Sequence, residues 1–128
     1  MSFKARLEVG NEKFIILDCS YALYQETDAT GRPSSVTRGG TINFSTESTD
    51  KTFLSDWMFN NFERKDGKVI FLKRDTDATS KTLEFTEAYM ISYSESFSGT
   101  GGMPMIETFT ISALSIKLGT GEHINEWV

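Results

Sequence analysis

The chain of 128 residues contains one histidine, His123, and one cysteine, Cys19, whereas its 18 acidic residues leave paired carboxylates open as a source of acid–base chemistry. A serine or cysteine mechanism needs a base beside its nucleophile and a third group to orient that base. His123 would have to serve from close to the C-terminus, and no G-x-S-x-G context occurs anywhere. A solvent-exposed or interface histidine is the expectation. Zinc needs three or four suitable ligands, and one His with one Cys falls short. Cys19 stands in the alternating run Cys19, Tyr21, Leu23, which predicts a structural thiol on a strand face.

Other ligand-binding patterns fail on spacing. After Gly31 a phosphate loop would require Gly-Lys where Val36-Thr37 stands, and the G-x-G-x-x-G that begins at Gly99 ends on Pro104. Asp75-Thr76-Asp77 opens like a calcium loop, but Ser80 and Thr86 occupy the positions that demand Gly and Glu. No metal or cofactor is expected. Glu87, on an otherwise apolar strand face, is the best candidate for a buried acid. A carboxylate paired with an arginine, or facing a wet side of the fold, is the simpler reading.

What remains is a long irregular connection, ETDATGRPSSVTRGG. Hairpin loops usually take two to five residues, and loops near a dozen are functional or disordered. Asp28, Arg32, Pro33, Ser34, Ser35, Arg38, Gly39 and Gly40 form the candidate site. Pro33 stiffens the loop, and Arg32 and Arg38 could pair with carboxylates on another copy of an acidic chain. A solvated loop of no consequence is the competing reading.

The elements that must hold this loop read as mainly β. Phe3, Ala5, Leu7 and Val9 alternate with charged residues, Gly10-Asn11 signals a tight turn, and extended structure resumes at Lys13. Thr41 to Glu47 alternates again. From Thr49 the period becomes helical, with Phe53, Leu54, Trp57, Met58 and Phe62 on one face. A helix over about 50–62 follows, capped by Thr49 or Asp50 and ended before the turn signal Lys65-Asp66-Gly67. A short strand starts at Lys68. Leu83, Phe85, Tyr89, Ile91, Tyr93 and Phe97 hold one phase, interrupted by Glu87, and SGTGGMP from Ser98 is a second connection. Phe109, Ile111 and Ala113 then give way to Leu114, Ile116 and Leu118, a slip that predicts a bulge at a sheet corner. TDAT at Thr27–Thr30 recurs at Thr76–Thr79, though the flanks do not support a duplicated half-domain.

One domain, 1–128, is expected: two packed antiparallel sheets forming a small barrel-like core with a helix at the side. Cys19, Tyr21, Phe44, Trp57, Met58, Phe71 and Phe109 are its predicted core. A formal charge of −5 argues against nucleic acid and anionic membrane surfaces as partners. No apolar run is long enough for a membrane helix, and MSFKARLEVG lacks the pattern of a secretory signal, so synthesis and assembly in the cytoplasm are expected.

YQETDATGRPSSVTRGGTINF, WMFNNFERKDGKVIFLKRDTDAT and ETFTISALSIKLGTGEHINEWV resemble the tube protein of type VI secretion systems, the Hcp family in its TssD branch. The resemblance spans essentially the full chain. It implies a barrel-like fold with one helix and a homo-hexameric ring whose copies stack into a tube. It also implies sheath, spike and baseplate partners, effector cargo and export through the apparatus without a signal peptide, with no catalysis. An extended loop that grips the next ring would be residues 28–40, with Arg32 and Arg38 as charged contacts. A phage-type tail tube subunit and, behind it, a small ligand-binding β-barrel are the alternatives.

Overall fold

The computed structural model describes residues 3–76, 78–102 and 105–127. Asp77, inside the second TDAT and the calcium-like triplet, and Met103-Pro104 of SGTGGMP lie outside them. Among the described residues, eight strands and one helix follow in order: β1 (Phe3–Val9), β2 (Glu12–Tyr21), β3 (Thr41–Glu47), α1 (Phe53–Phe59), β4 (Arg64–Lys73), β5 (Thr79–Phe97), β6 (Met105–Ser112), β7 (Ser115–Leu118) and β8 (Gly121–Ile124). The sheet order is β4-β1-β2-β3-β6-β5-β7-β8, and a β4–β5 pairing closes six of the strands into a barrel. All ladders are antiparallel.

Alternation sets the core. Leu7, Val9, Phe14, Ile16, Ile42, Phe44, Val69, Leu83, Phe85, Phe109 and Ile111 turn inward and are buried, while Cys19, Tyr21, Met58 and Phe71 pack half-buried at its margin. Phe44 and Phe109 stack with ring centroids 4.9 Å apart. Helix α1 docks on the barrel by burying Leu54 and Trp57 in the same core. Its two turns are too short for independent stability, so docking holds it.

The helix is shorter than the predicted 50–62. Thr52 is the N-cap and makes no side-chain capping bond. Its hydroxyl donates to Asp56 Oδ2 at 3.1 Å, and Thr49 Oγ1 accepts the Lys51 N–H at 3.2 Å ahead of the helix. At the other end Trp57 Nε1–H donates to the Glu63 carbonyl at 3.0 Å, drawing the chain back. Phe62 consequently leaves the helical face, with φ 64° and 84% exposure.

The single phase expected along β5 is broken by Glu87. That residue takes φ 48°, its N–H donates to Asp66 Oδ1 at 2.7 Å, and its carboxylate meets Arg64 at 3.2 Å. Opposite it, the β4 register slips between Lys65 and Gly67. The bulge moves burial from Leu83 and Phe85 to Ala88 and Met90, so Tyr89 and Ile91 face outward. Lys65-Asp66-Gly67, expected as a turn, therefore runs inside β4. The glycine is there for close approach: a Cβ on Gly67 would lie 2.6 Å from both the Glu8 carbonyl oxygen and Phe85 Cζ. Between β6 and β7 the predicted break occurs at Ala113-Leu114, where Ala113 N–H turns to the Gly40 carbonyl at 2.8 Å.

Candidate functional site

Four strand segments form a sheet with two unlike faces. Cys19, Phe44, Phe109 and Tyr93 make one cross-strand row, and Tyr21, Ile42, Ile111 and Met90 face each other in the next ladder positions on the same side. Between these, two rows point the other way: Ser20–Asn43–Thr110–Ser92 and Asp18–Ser45–Thr108–Ser94. Every member is a small polar residue, with Asp18 the one charge. They bind one another: Ser45 Oγ donates to Asp18 Oδ2 at 2.9 Å, Thr110 Oγ1 to Asn43 Oδ1 at 2.8 Å, and Asn43 Nδ2 to Ser20 Oγ at 3.4 Å. Sequence reasoning missed this face. Its signal was the recurrence of Ser, Thr and Asn at alternate positions in four separated strands.

The same sheet has two free edges. Among the described residues, Asp18–Tyr21 of β2 pair with β3 alone, and Ser92–Phe97 of β5 pair with β6 alone. Neither segment carries the Lys or Pro that commonly blunts an edge.

Residues 22–40 leave the barrel as an arm whose two limbs are joined by the isolated bridges Tyr24–Arg38 and Thr27–Pro33. Tyr24 and Arg38 exchange backbone bonds of 3.0 and 2.7 Å, and Ser34 N–H donates to the Glu26 carbonyl at 2.6 Å. At the tip, Asp28 Oδ1 accepts from Thr30 N–H, Thr30 Oγ1 and Arg32 N–H at 2.9, 2.7 and 3.2 Å. These bonds, led by the Thr30 hydroxyl, hold the Asp28 carboxyl below its ordinary range. Pro33 pairs with Thr27, and Ser35 Oγ accepts the Glu26 N–H at 2.9 Å. The two arginines differ: Arg32 lies at the tip, whereas Arg38 lies at the root, 3.7 Å from Glu26 Oε1.

Gly39 and Gly40 fasten the root. Gly40 takes φ 106°, and a Cβ there would lie 2.5 Å from Asn125 Nδ2 and 2.8 Å from the Ala113 carbonyl. Asn125 Nδ2 donates to the Gly39 and Ala113 carbonyls, both at 3.0 Å. With the amide nitrogen so engaged, Oδ1 is left to accept from His123 Nε2 at 2.9 Å. The lone histidine thus braces the arm's root.

The buried acid is Glu107, not Glu87, whose side chain is 44% exposed and paired with Arg64. Glu107 continues the phase of Phe109 and Ile111 backwards, which was the available signal. It accepts from Tyr93 OH at 2.6 Å and directly opposes Glu95. Burial raises its pKa, Tyr93's bond partly counters this, and the Glu95 charge adds to the rise. Cys19, without a charged partner, is pushed by burial up to about 11, which keeps the thiol protonated and unreactive. Among the described residues no group of three or more His, Cys, Asp or Glu is placed to hold a metal ion, and no helix is long and apolar enough to cross a membrane.

An open groove of about 690 Å³ lies where β5's free edge begins, between Met58, Phe62, Tyr89, Ile91, Glu126 and Trp127. Tyr89 and Trp127 rings are 5.2 Å apart.

No curated protein sequence matches the chain. Among solved structures, Hcp1 from Flavobacterium johnsoniae is 54% identical, covering 95% of this chain and 99% of that one, with a TM-score of 0.92. Hcp1 from Salmonella typhimurium shares the fold at 11% identity, a TM-score of 0.72 and coverage of 91% and 86%. So does a chain of the sheath–tube complex of the extracellular contractile injection system PVC, at 23% identity, a TM-score of 0.58 and coverage of 90% and 87%. The family model "Hemolysin coregulated protein Hcp (TssD)" matches residues 1–128, and the chain belongs to that family.

Proposed function

We propose that the protein is the repeating subunit of a type VI secretion inner tube, built from hexameric rings and exported with its cargo. The observation that carries this reading is the sheet with two unlike faces and two free edges. Its outer strands, β2 and β5, run in opposite directions, so β2 of the next copy laid on β5 continues the antiparallel alternation. That contact is head-to-tail and closes into a ring. Helix α1 and the rest of the barrel thicken the core side, so the closed wall curves towards the Ser/Thr/Asn rows. These rows then line the channel with hydroxyls and amides and offer cargo no greasy wall to stick to.

Stacking falls to the arm. Arg32, at a tip shaped by the Asp28 turn, is the contact for the next ring; Pro33, Ser34 and Ser35 stiffen the returning strand, and Gly39 and Gly40 set its root. Such an open contact propagates a filament, and its exposed charges make it sensitive to salt. The fold does no catalysis in this role. Sheath, spike and baseplate are its partners in the apparatus, after assembly in the cytoplasm.

Negative-stain imaging of the purified protein tests the reading. Uniform rings with a central channel are expected, and Arg32→Glu should leave rings intact while abolishing their stacks. A particle population without rings overturns it.

A further inference from the structure

The groove beside Trp127 and the root of the arm lie along one cross-strand row, Thr41–Ser112–Tyr89. Thr41 borders a shallow depression at the β2 end of that row, formed with Ser20, Tyr24, Arg38 and Asn43. Ser112 and Tyr89 border the groove at its β5 end. Tyr24 and Arg38 are direct cross-strand partners, so their side chains project on the same side of the arm. The groove's Phe62, Ile91 and Trp127 are 84%, 52% and 40% exposed, and Tyr24 is 57% exposed. Large aromatics left this open are unusual on a finished surface.

Resting on the ring reading above, we propose that this groove is the lateral socket of the ring, and that it receives Tyr24 and Arg38 from the adjacent copy. β5's free edge begins at Ser92, beside the groove, so if β2 of one copy continues the sheet there in antiparallel sense, its chain runs on past Tyr21 towards the groove and brings the arm root to it. At Tyr89 the edge is already covered by Arg64 of β4, which directly follows the groove-lining segment Asn60–Glu63, so the incoming strand ends there. Tyr24 then lies against the Tyr89–Trp127 pair, an aromatic anchor in an apolar pocket. Arg38 meets Glu126, a carboxylate on the groove's rim that also borders a depression with Arg38 of its own copy without pairing with it. Charge thereby fixes which face of the arm enters. The two arginines divide the work: Arg32 reaches the next ring, Arg38 the neighbour in the same ring.

A cysteine pair tests this directly. Tyr24→Cys with Ile91→Cys, in a Cys19→Ser background, is oxidised in the assembled protein and run on a non-reducing gel. A ladder of covalent oligomers is expected from the pair and none from either single variant. Should the Cys19→Ser background fail to fold, a charge exchange in the native chain decides instead. Arg38→Glu and Glu126→Arg each weaken ring assembly about tenfold by light scattering, and an equimolar mixture of the two single variants, which restores the opposite charges only between copies, recovers it. Intact rings with no ladder, or with single variants that assemble like the wild type, overturn the socket and leave the ring reading standing. A wild-type chain that stays monomeric overturns both.

Discussion

The barrel and the arm obey opposite rules. In the barrel, strands alternate so that one side of each is buried, and Trp57, Phe44, Phe85 and Phe109 are all nearly inaccessible. In the arm almost every side chain is exposed, and its shape comes from backbone bonds, the Asp28 turn and a glycine root pinned by Asn125. A segment that buries so little cannot be ordered for the sake of monomer stability. Such order suits the contact role proposed above, in which the conformational cost is met before a partner arrives. Substitutions in the barrel should therefore register in folding, and substitutions at the arm's tip in assembly alone.

The largest expected effect is Trp57→Ala. It removes a buried indole and its bond to the Glu63 carbonyl, and should cost about 3–5 kcal/mol in denaturant unfolding. Gly67→Ala comes next, at about 1–3 kcal/mol, since its methyl group would press on the Glu8 backbone and Phe85. Tyr93→Phe, which deprives buried Glu107 of its donor, should also cost about 1–3 kcal/mol in denaturant unfolding.

Glu107 also leaves a signature in pH. Its folded pKa is raised above the ordinary 4.5, so the native state binds the proton more tightly than the unfolded chain. This group's contribution to stability is greatest below 4.5, declines as pH rises through the interval up to the raised value, and is flat beyond it. Glu107→Gln should remove that decline, read as the difference between wild-type and variant unfolding curves across the acid range. The smallest effect on folding belongs to Arg32→Glu, within about 0.5 kcal/mol of wild type. A barrel-sized loss there would break the division between the two regions.

Alternation and helical spacing made most strands and the helix readable in the sequence, because period 2 and period 3.6 are local properties. Bulges were not readable. Glu87 interrupted an apolar phase, but that charge alone did not announce its φ of 48°, because the bulge is made with Asp66 on β4. Gly67 looked like a turn for a related reason: its glycine answers to a neighbour's backbone, which composition does not show. Phe62 kept helical spacing but lost its place when Trp57 drew Glu63 back. The arm was recognisable from length and residue type, but its two arginines looked equivalent until the Tyr24–Arg38 pairing placed one at the root. The polar rows depend on register among four strands, a long-range property. Asp18 and Thr108 are ninety positions apart (108 − 18) in the chain, yet lie in one row.

The central claim is that free edges close copies of this sheet into a ring with the Ser/Thr/Asn rows inside. Electron cryomicroscopy of the purified protein at tens of micromolar tests it most directly. The account predicts sixfold rings in which β5 of each copy abuts β2 of the next and Asn43, Ser45, Thr108 and Thr110 face the channel. Monomers with both edges in solvent, or rings that turn those rows outward, would contradict it.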